Sequence, residues 1–585
     1  MTLHRSGKPH TVFDRHGDDG RQSFTVMGKG DVGGKAAGLA LLKEKVLSKI
    51  DDRTFSHIRV DIPRMVVITS TYFDAFLEDN KLRDIATSDF SDERIAHHFQ
   101  QADLPPTLLG DLWSLISRAS EPLAIRSSSL LEDAMFEPFA GIYGTKMIPN
   151  NRMETNVRFR QLTEAIKFVY ASTFFAEAKS YIEATSHRIE EEKMCIIIQE
   201  VIGNRFGEYF FPVISGVGRS YNFYPSGRAK PEHGVVDLAL GLGKSIVDGG
   251  FCWNYSPAFP RMKPPYGSTG EMLRFTQNAF WAISMGHVPL YDPIHETEYM
   301  VRLHLDEADR LGVLRHIVST YDPQSDRINI GYDGSGPKLV TFSPMLDLEV
   351  IPLNDCIRRI LTLCEEALEH QVEIEFAVTF DRDLSQPARF GLLQARPMVV
   401  SDAIVTIESA EMTAPGVRVA SENVMGNGVW NDLMDVVFVK PDVFDAKYTR
   451  EIALELEVIN RGLIKQGTRY VLIGFGRWGS SDHWLGIPVN WGQISGAKVL
   501  VEATLPNMIV DLSQGSHFFH NLSSFQVGYF ALRYEGPYRI DWDWLMQQEI
   551  VSDHRFTRHI RLTHPLVVKL DGRQSRGLIY HGEAE

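Results

Sequence analysis

Apolar residues recur at i, i+3 and i+4 over residues 34–48, 155–185, 354–370 and 443–465, the spacing of helices that bury one face. Between them run short apolar stretches bounded by glycine, proline or charged residues. FTVM (24–27), LAI ahead of Arg126, CIII ahead of Gln199, and the pair VEIEFAVTF (372–380) and FGLLQARP (390–397) predict strands. Strands interleaved with helices predict an α/β architecture. A chain of 585 residues is too long for one core. The pattern divides into a mixed α/β region over 21–400, with an internal break near 205–220, and a smaller α/β domain over 401–585. No internal repeat or low-complexity segment interrupts it.

Composition narrows the class of protein. Hydrophobic residues make up 44% of the chain, enough for two cores, yet no apolar run approaches the roughly 18 residues of a membrane span. The first twenty residues are polar and charged, so neither export nor a membrane partner is expected. Cys195, Cys252, Cys356 and Cys364 have neither CxxC spacing nor histidines at zinc-ligand intervals, which predicts reduced thiols and a cytoplasmic location. A formal charge of -15 argues against general nucleic-acid binding. The locally basic tail from His554 to Arg576 is read as a solvated face or as a surface for an acidic partner.

The densest chemical signal is VMGKGDVGGKAAGLALLKE (26–44). Gly28, Gly30 and Gly33 match G-x-G-x-x-G, but no strand leads into Asp51 or Asp52, where a dinucleotide site needs its ribose-binding acid. The P-loop template fails as well: Ala36 follows Lys35 where Ser or Thr must bind magnesium, and Lys29 replaces the first glycine. What remains is glycines that admit an anion to backbone amides, a helix N-terminus, and the cation of Lys35, weighed against a plain turn and helix cap.

Three more stretches carry chemistry. A short strand delivers Arg126 into the serine-rich turn of AIRSSSLLED, followed by the glycine loop FAGIYG. CIIIQEVIG, with Gln199 and Glu200, reads as a strand entering a hinge, and GLGKSIVDGG (241–250) as a second glycine loop. In the 372–397 hairpin, side-chain alternation puts Glu373 and Glu375 on one side and Gln394 and Arg396 on one side. If the register aligns those faces, two carboxylates, an amide oxygen and a guanidinium converge. Neighbouring carboxylates repel unless a cation sits between them, and oxygen ligands suit Mg2+, while the guanidinium suits phosphate. The competing reading is an edge hairpin with a solvated polar face.

GGKAAGL, AIRSSSLLED, FAGIYGT, IIIQEVI, GLGKSIVDGG and EIEFAV followed by LLQARPMVV occur in an order that resembles the N-terminal ATP-binding domain of the pyruvate phosphate dikinase and phosphoenolpyruvate synthase family. The resemblance spans about residues 24–400 and implies an ATP-grasp-like fold that uses ATP and Mg2+. It implies that Lys35 and Arg126 bind ATP phosphates, that Glu375 and Gln394 hold magnesium, that Glu373 lies near the nucleotide, and that Arg396 faces the transferring phosphate. Gly33, Gly34, Gln199, Glu200, Gly241 and Gly243 fall at the remaining nucleotide-binding positions. Lys244 stands where the family's loop carries an acid, Ile142 replaces the glutamine of FAGQ, and the loop between Glu375 and Gln394 is longer than the family's.

In those dikinases a histidine on a swivelling domain takes the phosphoryl group and passes it to a barrel domain. About 185 residues follow position 400, short of the roughly 200 or more of a complete (β/α)8 barrel, so pyruvate or phosphoenolpyruvate chemistry is not expected in this chain. Gly515, Ser516 and His517 echo the family's TSH motif, which makes His517, with His520 second, the expected acceptor within the chain. Otherwise the acceptor is a separate small molecule or protein. YVLIGFGRWGSSD (470–482) imitates a dinucleotide fingerprint, with Glu502 on a later strand, but Gly and Pro occupy the place of its crossover helix. It is read instead as a rigid turn presenting Arg477, Trp478 and Asp482 to a substrate or to the ATP domain. An ATP-dependent phosphotransferase is therefore the leading expectation, an ATP-sensing module that engages a partner protein the alternative, and an ATP-grasp ligase a distant third.

Overall fold

The computed structural model describes residues 11–16, 23–132 except 52, 141–398 except 184, 186, 224, 226, 249, 263–267, 288, 334 and 335, residue 400, 405–506 except 481 and 482, residues 508 and 522, and 525–581. The fold is mixed α/β. It resolves into two compact units, one of residues 1–182, 187–221 and 232–397, the other of residues 183–186, 222–231 and 398–585.

In chain order the first unit contributes β1 (Phe24–Met27), α1 (Gly34–Lys45), β2 (Ile58–Asp61), β3 (Met65–Ile68), β4 (Leu123–Ser129), β5 (Thr145–Ile148) and β6 (Met194–Glu200). It continues with β7 (Ile214–Arg219), β8 (Val235–Ala239), β9 (Trp253–Tyr255), α2 (Leu353–Leu368), β10 (Val372–Thr379) and β11 (Ala388–Pro397). One sheet has the order β1-β3-β6-β4-β5, and a second β9-β8-β7-β10-β11-β2. Over 204–219 the chain changes sheets: Asn204–Phe206 and Tyr209–Phe211 belong to a separate four-stranded sheet, and β7 enters the second sheet. α1 packs on β4 and β11, and so bridges the two principal sheets.

The expected helix over 155–185 is two helices, Thr155–Ser172 and Ala176–Glu183. Phe174 turns into the core against Phe73 and Phe99, and the Asp92 carboxylate caps the restart by accepting the Ala176 N–H at 2.8 Å. The helix expected from 443 starts at Thr449, after two short 3-10 turns.

The second unit is built on a mixed sheet that includes β12 (Asn427–Val439), β13 (Tyr470–Phe475), β14 (Ala497–Ala503) and β15 (Gly528–Leu532), all parallel in that order. α3 (Thr449–Lys465) makes the crossover from β12 to β13. No helix among the described residues is long and apolar enough to cross a membrane.

After β13 the chain forms a two-residue strand, Arg477–Trp478, paired with Gly486–Ile487. This local pairing occupies the place of a crossover helix. Trp478 was expected to face a substrate or the ATP domain, but only 2% of it is exposed, and its indole N–H donates to the Val501 carbonyl at 3.3 Å. A Cβ on Gly474 would lie 2.4 Å from the ring, so the glycine makes room for the tryptophan. Glu502, fully buried, accepts the Trp478 N–H at 2.8 Å and the Tyr529 hydroxyl, and thus secures the turn. Asp482, Gly515, Ser516, His517 and His520 lie outside the described residues.

Candidate nucleotide site

The hairpin register decides which side chains meet. β10 and β11 place Glu373 opposite Arg396 and Glu375 opposite Gln394. Phe376 then pairs with Leu392, so Leu393 is the extra residue of a β-bulge. A bulged residue leaves the ladder, and the carbonyl of Leu393 is taken by a side chain from the other sheet: Arg126 Nη1 donates to it at 3.1 Å. The same nitrogen donates to Gln199 Oε1 at 3.1 Å, and Nη2 donates to Gln394 Oε1 at 3.1 Å and lies 3.7 Å from Glu375 Oε2. Arg126 is therefore the hub that joins β4, β6 and the hairpin.

The chemistry of this group suits a metal-nucleotide ligand. Directly opposed residues have Cβ atoms about 5 Å apart, which sets the Glu375 carboxylate and the Gln394 amide oxygen within reach of one hard cation. Gln199 spends its oxygen on Arg126, while its Nε2 is buried with no hydrogen-bond partner. A buried unpaired donor asks for an acceptor, and a nucleotide offers several.

Glu373 and Arg396 meet each other. Arg396 donates through Nε at 2.9 Å, and also through Nη2, to Glu373 Oε1. Glu373 Oε2 accepts from Arg219 Nε at 2.7 Å, and Arg219 Nη1 donates to Asp237 Oδ2 at 2.9 Å. Burial works against the Arg219 charge, but Glu373 and Asp237 outweigh it and hold its pKa above the ordinary value. Arg219 and Asp237 carry no motif. The available signal was an acid inside the apolar run VVDLAL, since a buried carboxylate needs a partner.

Lys35 is held by Glu132, a residue given no role from sequence: its Nζ donates to Glu132 Oε1 at 2.7 Å and to Ser127 Oγ at 3.3 Å. The glycines before it serve the chain's own packing. Gly33 has φ +79, and a Cβ there would fall 1.7 Å from the Ser128 carbonyl oxygen; one on Gly34 would fall 1.8 Å from that of Glu132. Ser128 Oγ also accepts the Ala36 N–H at 3.1 Å. These contacts give the opening loop an internal reason for its glycines. A Gly33→Ala chain is expected to lose at least about 2 kcal/mol of stability, read as a lower denaturant midpoint, because backbone must move and a left-handed φ is strained.

Of the remaining expected positions, Glu200 is ion-paired with Arg389 at 3.0 Å, which already occupies its carboxylate. The Gly241 carbonyl accepts Ser215 Oγ at 2.7 Å, and Gly243 leads into the short helix Lys244–Val247. Lys244 is paired with Asp248 at 3.2 Å and with Glu296.

Residues 29–277 match the family model described as pyruvate phosphate dikinase, AMP/ATP-binding domain. No curated protein matches the chain. The match to this ATP-grasp-like domain covers α1, β4 and β6, and with them Lys35, Arg126 and Gln199, and it supports ATP binding by the first unit. It ends before the hairpin of Glu375 and Gln394, which β7 and β8, both inside the matched span, join in one sheet.

Two carboxylates within the matched span, Glu177 and Glu192, are pushed up by burial to about 7. Burial pushes Glu192 up to about 7, against bonds from the Tyr143 hydroxyl at 2.5 Å and the Lys193 N–H at 2.8 Å, with Glu132 adding to the rise. Its native form holds a proton that the unfolded chain, titrating near 4.5, releases. This group's contribution is therefore greatest at low pH, and it falls as pH rises from about 4.5 to about 7, by roughly 3 kcal/mol. Glu192→Gln is expected to lessen the fall in stability over that window, the remainder belonging to Glu177, checked by urea unfolding at several pH values.

Proposed function

We propose that the chain is an Mg2+-ATP-dependent phosphotransferase of the dikinase type. The observation that carries this reading is the convergence of Arg126, Gln199, Glu375 and Gln394 in the unit that matches the AMP/ATP-binding domain. Phosphoryl transfer asks a protein for charge neutralisation and alignment more than for covalent chemistry. Glu375 and Gln394 would hold Mg2+ through side-chain oxygens, and Gln199 Nε2 would donate to the nucleotide. Arg126 would orient phosphate oxygens through its planar fork, and Lys35 would add a cation once released from Glu132. When bound, ATP supplies the phosphoryl group and Mg2+ offsets its charge. Arg396, buried beside the hub, would supply the second guanidinium.

The acceptor on this reading is His517 or a substrate held by the second unit. We assign no pyruvate or phosphoenolpyruvate step to the chain, because the described strands of the second unit mix parallel and antiparallel pairs, unlike the all-parallel strands of a (β/α)8 barrel. The closed pairs Lys35–Glu132 and Arg396–Glu373 favour a second reading, an ATP sensor whose cations are already neutralised.

Incubation with β- and γ-labelled ATP separates the two. AMP together with an acid-labile label on the protein supports the dikinase type, ADP supports a simple kinase, and binding without turnover supports the sensor. Loss of the label in His517→Ala identifies the acceptor, and its persistence moves the acceptor elsewhere.

A further inference from the structure

The second sheet contains a row of charges that the nucleotide hub does not use. Strand register places Arg219 opposite Glu373 and Glu373 opposite Arg396, while Asp237 lies two residues along β8 from the partner of Arg219. None of the four is more than 8% exposed. Two guanidiniums and two carboxylates balance, as burial requires. The way the balance is struck is informative. A lone Arg–Glu pair settles into a bidentate fork that uses both carboxylate oxygens. Here Arg396 donates to Oε1 of Glu373, while Arg219 takes Oε2. Asp237 in turn neutralises Arg219 and is fixed by the Asn254 amide, which donates to Oδ1 at 2.7 Å.

We propose that Arg219 is a positioning residue for Arg396, acting through the shared carboxylate of Glu373. By holding one oxygen, Arg219 fixes the carboxylate plane and with it the direction of the Arg396 guanidinium. The role in transfer rests on the phosphotransferase reading above. The mechanical claim, that Arg219 locks Arg396, does not.

The test uses the full chain and reads both claims separately. Wild type, Arg219→Met and Arg219→Lys are treated with phenylglyoxal, and adducts at Arg396 are followed by peptide mass spectrometry. Arg158, held by the Ile116 and Ala119 carbonyls, is the internal control for an intact fold. MgATP turnover and binding are measured on the same proteins. The expected result is Arg396 modification at least about fivefold faster in Arg219→Met, with Arg158 unchanged, kcat lower by about tenfold and KM within about threefold. Arg219→Lys keeps a charge without the fork and is expected to fall between the two. If Arg219→Met does not fold, the lysine variant decides by the same readings. Arg396 protection equal to wild type in the variants overturns the lock, and a rise in KM with kcat unchanged overturns the positioning role. A wild-type chain that binds no MgATP overturns the phosphotransferase reading alone, and the Arg396 adduct rate still decides the lock.

Discussion

Arg126→Met is expected to lower ATP-dependent turnover by about 1,000-fold, the scale seen when a preorganised charge stabiliser is removed. The reason lies in how many elements meet at this side chain. One guanidinium bonds the Gln199 oxygen, the bulged Leu393 carbonyl and the Gln394 oxygen, and stands 3.7 Å from Glu375. Methionine keeps the length and removes every donor, so the amide and carboxylate that would hold Mg2+ lose their common anchor along with the cation for the phosphates. Arg126→Lys restores charge but cannot span three acceptors, and is expected to remain about 100-fold below wild type. Steady-state turnover with MgATP, alongside an unfolding curve for each variant, checks this. The unfolding curve is expected to move by only about 1–3 kcal/mol, the penalty for unpaired buried acceptors. Activity within a factor of a few of wild type in Arg126→Met would falsify the hub.

The hub was legible in outline because alternation along a strand is a strict rule. Glu373 and Glu375 had to share a face, as did Gln394 and Arg396, and the register joins them as opposed pairs. The bulge at Leu393 was not legible, since nothing in FGLLQARP marks one leucine as unpaired. The bulge lies beyond the Glu375–Gln394 pair, and the environment changes within the regular ladder, between that pair and Glu373–Arg396. Glu375 and Gln394 reach the hub, whereas Glu373 and Arg396 turn to Arg219. Arg219 lies 154 positions from Glu373, so only tertiary structure could supply the pairing. Lys35 shows the converse limit. Its glycine-rich setting fits an anion cradle, yet Ser128 and Glu132 approach the same glycines and give them a packing role. In the second unit the apolar runs foretold strands, but Trp478, read as facing a substrate or the ATP domain, is core, because the missing Cβ of Gly474 accommodates its ring.

Glu373→Leu is expected to cost about 3–5 kcal/mol, the range for breaking a buried ion network by removing one partner. The loss leaves Arg219 and Arg396 facing each other without their shared carboxylate, in a region where neither is more than 8% exposed. Replacing all four charges together, as Arg219→Met, Asp237→Leu, Glu373→Leu and Arg396→Met, is expected to recover most of that stability, since apolar groups of similar size need no compensation. The same quadruple variant is expected to show no ATP-dependent turnover. Urea unfolding and turnover measured on the two proteins separate the contributions. A single-variant cost below about 1 kcal/mol means the network is not closed as described, while turnover surviving in the quadruple variant removes Arg396 from the reaction. The expected divergence, stability restored and activity gone, locates the value of these buried charges in what Arg396 does to a phosphoryl group and not in holding the sheet together.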